Sequence, residues 1–206
     1  MADTELPQLY LVTPPQFELS VFPDQLSRVL DATEVACLRL ELATRDEDTI
    51  ARAADACREV AHARDIALVI ADHLLLVEKL GLDGVHFTDG ARQVRKARKE
   101  LGNDPIVGAF CGTSNHDGMI AGEQGADYIA FGPVGESNLG TGAVAERDLF
   151  AWWSEMIEVP VVAEGGLTEA LVRDLTSVTD FFCFGDEVWG EDDPVAALSA
   201  LASARS

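Results

Sequence analysis

Lysine and arginine are scarce in this chain, 15 against 36 Asp and Glu in 206 residues, which leaves a formal net charge of −21. Such a surplus repels phosphate backbones and anionic lipid, so nucleic acid and membrane surfaces are excluded as partners. No apolar run approaches the ~20 residues that a bilayer-spanning helix needs. The opening MADTELPQLYLVTPP has neither a basic segment nor an apolar one, so no signal peptide is expected. The four cysteines, Cys37, Cys57, Cys111 and Cys183, form no CxxC pair. Their scatter excludes a zinc ribbon and fits reduced thiols in a cytoplasmic protein.

What is present is a regular alternation. Short apolar, β-branched runs predict strands at 8–13, 35–42, 66–71, 84–87, 105–110, 127–132, 160–165 and 180–185. Amphipathic runs predict helices at 45–65, 91–102, 114–125, 167–178 and 191–206. Gly102 is a suitable C-cap, and Pro194 follows three acids as at a helix start. About eight βα units of roughly 25 residues each are the pattern of a compact single-domain (β/α)8 TIM barrel spanning 1–206. A doubly wound open sheet would carry a glycine-rich fingerprint after its first strand, and LVTPPQFELS has no glycine.

Function in such a barrel gathers at the carboxyl ends of the strands. That rule selects Thr13; Arg39 and Glu41; Asp72 and His73; His86, Thr88 and Asp89; Cys111 and Thr113. It continues with Ser137, Asn138 and Thr141, then Glu164, Gly165 and Gly166, then Gly185, Asp186 and Glu187. The loops after the last two strands commonly bind phosphate through backbone amides, so Gly165, Gly166 and Gly185 are candidate phosphate contacts. The alternative is that they only permit tight turns. Asp186 and Glu187, if turned inward, would repel the anion. The segment FGPVGESNLGTGAVAERD offers glycines and hydroxyls, but its only base is Arg147.

The stretches LYLVT, DGVHF, GADYIAFGPV and PVVAEGG, at these spacings, resemble the thiamine phosphate synthase and thiazole tautomerase superfamily over nearly the whole chain. The resemblance implies a cytoplasmic (β/α)8 barrel of thiamine biosynthesis. It also implies a transferase that joins hydroxymethylpyrimidine diphosphate to thiazole phosphate, with Mg²⁺ and release of pyrophosphate. Residue by residue, CLRLE keeps Leu38 and Arg39 of the family's Gln-Leu-Arg-x-Lys but has Cys37 and Glu41 in place of its Gln and Lys. ADH keeps Asp72, a metal-ligand position, with Ala71 and His73 beside it. GVHFTDGA keeps His86, and Asp89 stands near the expected metal-binding acid. A family serine appears as Phe110. Ser137 matches the first Thr of a Thr-x-Thr-Lys-Lys loop whose lysines fall near Gly140 and Thr141, and Pro133 replaces the tautomerase His.

The resemblance therefore implies a small phosphorylated or thiamine-related ligand bound by Arg39, Ser137, Thr141, Gly165, Gly166 and Gly185. The catalytic candidates are Arg39, Asp72, His73 and His86, with Asp72 and Asp89 as Mg²⁺ ligands. Pyrophosphate departure needs concentrated positive charge, so these replacements predict altered or absent family catalysis. The alternatives are a non-catalytic small-molecule-binding or regulatory barrel, and a different metal-assisted enzyme on the same scaffold. Cys111 with His116 is the weaker reading as a nucleophile and base, against a packed thiol and an exposed His. Glu164 is expected to hold a loop by accepting backbone N–H bonds. The tryptophans are expected in helix packing or a subunit contact, with self-association left open.

Overall fold

The computed structural model describes residues 5–206. Eight strands pair in parallel, each with its sequence neighbour, and β1 closes on β8. They are β1 Gln8–Val12, β2 Cys37–Leu40, β3 Ala67–Ala71, β4 Gly84–Phe87, β5 Ile106–Phe110, β6 Tyr128–Phe131, β7 Val161–Glu164 and β8 Phe181–Phe184. All eight lie inside the predicted strand ranges. The helices are α1 Phe22–Ala32, α2 Glu47–His62, α3 Leu76–Lys79, α4 Val94–Leu101, α5 Asn115–Glu123, α6 Arg147–Met156, α7 Glu169–Leu175, α8 Asp186–Trp189 and α9 Pro194–Ser203. A short 3-10 turn, Gly90–Gln93, precedes α4.

Four of these helices fall outside the predicted set. In α1, Phe22, Leu26, Val29 and Leu30 form a buried stripe, and Pro23 occupies the first turn, where no N–H is missed. The helix α6 is anchored by Phe150 and Trp153, both fully buried. Trp153 donates its indole N–H to the Val159 carbonyl at 2.7 Å, and Trp189 donates to the Val12 carbonyl at 2.6 Å. The helices α3 and α8 are single turns of four residues, too short for a 3.6-residue pattern to show.

Alternation along each strand divides two cores. Outward residues such as Leu9, Leu11, Leu38, Leu68, Val85, Phe131 and Phe184 pack under the helices. Each large apolar side chain so buried contributes about 1.5–3 kcal/mol. Inward residues Tyr10, Val69, Tyr128, Ala130, Val162 and Cys183 fill the barrel. Gly108 on β5 makes room for this filling, since a Cβ there would lie 2.0 Å from Cζ of Tyr128.

Candidate active site at the barrel mouth

Above that apolar plug the barrel interior is charged. Arg39 on β2, His86 on β4 and Glu164 on β7 are 2%, 0% and 6% exposed, and all three converge on the axis. Arg39 donates from Nη1 to Glu164 Oε2 at 3.3 Å and from Nη2 to Glu164 Oε1. Its Nε lies 2.8 Å from Glu41 Oε2, an ion pair without the alignment of a hydrogen bond. Burial alone would lower the Arg39 pKa, but Glu164 and the other groups around it hold it well above the ordinary value. Burial raises Glu41, with Glu164 and Asp72 adding to the effect and Arg39 opposing it. One buried cation is thus shared by two carboxylates.

The histidine tautomer follows from its neighbours. Arg39 Nη1 lies 3.0 Å from His86 Nε2, and a guanidinium can only donate, so Nε2 accepts. Nδ1 therefore carries the proton and donates to Tyr128 Oη at 2.8 Å; Tyr128 in turn meets Tyr10 Oη at 2.6 Å. Burial first, then Arg39, depresses His86 well below its ordinary range. His86 is a neutral imidazole locked in a polar chain. Burial likewise raises both tyrosines.

The mouth holds two cavities, of about 340 and 540 Å³, that share Arg39, Glu41, Leu42, Ala43, Leu139 and Glu164. Leu139, on the loop after β6, reaches over the barrel, where a Cβ on Gly165 would lie 2.9 Å from its Cδ2. Ser137, Gly165 and Gly185 line the smaller cavity. Asp72, His73 and His86 line the larger one, together with Arg45, a base that the strand-end rule passes over. Thr141 lies exposed in the loop and borders neither cavity. Arg147 points away, bonding the Asp174 carbonyl and Ser177 Oγ, each at 3.1 Å.

Two carboxylates have roles different from those expected. Glu164 pairs with Arg39 instead of holding a loop. Glu187 is the loop-holding acid: its Oε1 accepts from the backbone N–H of Gly166 at 2.8 Å and of Leu167 at 3.1 Å. Its Oε2 accepts from Gly185 N–H at 2.9 Å. Two of the glycines expected to contact a phosphate, Gly166 and Gly185, therefore give their amides to a side-chain carboxylate of the same chain, joined by Leu167.

Asp72 takes a positive φ of 59° and accepts from Thr88 N–H at 2.8 Å and Thr88 Oγ1 at 2.5 Å. Asp89 borders neither mouth cavity. Among the described residues no group of three or more His, Cys, Asp or Glu could hold a metal ion. Mg²⁺ is ordinarily held by one or two carboxylates with waters and substrate phosphates; Asp72 would be the residue to offer one here, and both of its oxygens already accept from Thr88. Cys111 is buried, its thiol facing the Ala109 carbonyl at 3.8 Å and pushed up to about 12 by burial, while His116 is exposed.

The family model described as thiamine monophosphate synthase matches residues 9–179. The chain belongs to the thiamine monophosphate synthase family. Thiamine-phosphate synthase of Rhodospirillum centenum is 40% identical over 93% of this chain and 94% of its own length. That of Hyphomonas neptunium is 38% identical over 98% and 96%. The solved thiamine phosphate pyrophosphorylase of Pyrococcus furiosus shares the fold, with a TM-score of 0.83 at 19% identity, covering 96% of this chain and 95% of that one. In this thiamine monophosphate synthase family barrel, Tyr10, Tyr128, Arg45 and the acceptor role of Glu187 escaped sequence reasoning. Only the inward alternation of Tyr10 and Tyr128 could have pointed to their pairing.

Proposed function

We propose that this chain acts in thiamine biosynthesis as a synthase-family barrel that binds a thiamine-related small molecule at Arg39, without efficient displacement of a diphosphate. The observation that carries this reading is the shared neutralisation of Arg39 by Glu164 and Glu41. Pyrophosphate departure builds negative charge on oxygens, and free cations must meet it. Here Arg39, the one buried cation among the described residues, is already satisfied and its neighbouring histidine is neutral. The loop after β6 contributes no base to the mouth. The second cavity-lining arginine, Arg45, is exposed to solvent, where its effect is screened.

The second reading, full synthase activity, is favoured by the names of the relatives above. Complementation of a thiamine-requiring strain lacking its synthase separates the two. Failure to complement, together with a melting-temperature rise on adding a thiamine-related heterocycle to the pure protein, supports the first. Growth that depends on Arg39 supports the second.

A further inference from the structure

Glu187 reaches back from α8 to the two loops that flank the smaller mouth cavity and spans three amides: Gly166, Leu167 and Gly185. Three convergent N–H groups make an anion site, and a carboxylate on them forms charge-assisted hydrogen bonds. A phosphate entering this cup would have to displace Glu187 and then face it. It would also meet Asp186 and Glu164 in the same cavity, where Arg39 is the only base among the described lining residues. On the other side the groove between α7 and α9 adds Glu169, Glu191, Asp192 and Asp193 and, among the described residues, no base. Both approaches oppose an anion.

The cup does not close the cavity to ligand. A carboxylate has about four acceptor positions, and the three amides use three of them. Glu187 lines the cavity and retains capacity for one more donor. A hydroxyl supplies such a donor, whereas a phosphate dianion supplies none.

We propose that Glu187 is a specificity-determining residue: it fills the anion cup, so the mouth takes its ligand in the alcohol form and rejects the phosphate ester. The identity of that ligand as a thiazole alcohol rests on the function proposed above; the exclusion of phosphate rests on the cup alone.

The test is an amide-resolved NMR titration with inorganic phosphate, using the full chain and Glu187→Ala. It is paired with calorimetry of a thiazole alcohol and its phosphate ester. In the wild type the Gly166, Leu167 and Gly185 amides stay unmoved by phosphate; in Glu187→Ala they shift and saturate. Where the thiazole compounds bind, the wild type prefers the alcohol by about tenfold and the variant reverses that order. Saturable phosphate shifts at those amides in the wild type overturn the proposal, as does a folded Glu187→Ala that ignores phosphate. If the substitution unfolds the chain, the wild-type titration decides alone. If neither thiazole compound binds, the ligand assignment fails while the phosphate titration still decides the role of Glu187. A wild type that prefers the ester overturns the role of Glu187 and leaves the ligand assignment standing.

Discussion

Glu164 at the end of β7 grips both terminal nitrogens of Arg39 on β2, so the strongest charges in the barrel are spent on each other across its axis. Truncating one partner leaves the other buried and unpaired. We expect Arg39→Met to lose about 3–5 kcal/mol in urea unfolding. The double change Arg39→Met with Glu164→Leu should recover most of that loss. Glu41 is 36% exposed in its side chain and can turn to water when Arg39 is gone. A double variant as unstable as the single one contradicts the pair as drawn.

His86 ties stability to pH. Its folded-state pKa lies well below the ordinary 6.5, so below that value the unfolded chain takes up a proton that the folded chain refuses. Stability is present above the unfolded value and is lost as pH falls. Glu41 works in the opposite sense: its raised pKa makes the folded state the tighter proton binder in acid. Comparing the wild type with His86→Gln isolates the imidazole. Between pH 7.5 and pH 5.5 the wild type should lose about 1.4 kcal/mol more than the variant. Equal losses would mean that His86 protonates in place.

Gly108 is required by Tyr128. An added Cβ would lie 2.0 Å from Cζ and 2.4 Å from Oη of that ring. Gly108→Ala should cost about 1–3 kcal/mol or more by overpacking. It should also disturb the His86 Nδ1 resonance, because the ring that accepts its proton must move. An unchanged imidazole signal would refute the coupling.

Asp72 serves Thr88. Asp72→Ala removes the acceptor of two hydrogen bonds and places alanine at a positive φ, so a loss of about 1–3 kcal/mol is expected. Asp72→Asn keeps one acceptor and tolerates that backbone conformation, and should lose less. Addition of Mg²⁺ should leave the wild-type melting temperature unchanged. A Mg²⁺-dependent rise that vanishes in Asp72→Asn would establish the metal site.

The barrel was legible because parallel strands buried on both faces read as short apolar runs, and YIAF or VVAE hardly allow another reading. Strand ends then placed Arg39, His86 and Glu164 near one another. Their bonding was not legible. Glu164 reads as a loop holder until the fold brings Arg39 to it from 125 residues away. Glu187 reads as a misplaced charge until the single turn of α8 aims it at amides from two loops. Thr141 matched a family position along the chain, yet its loop folds so that Leu139, not Thr141, covers the mouth.

The most direct measurement is pyrophosphate release by the pure protein, supplied with hydroxymethylpyrimidine diphosphate, thiazole phosphate and Mg²⁺. With Arg39 neutralised and the anion cup filled by Glu187, we expect no release above the uncatalysed background. Steady turnover that is abolished in Arg39→Ala would contradict that account.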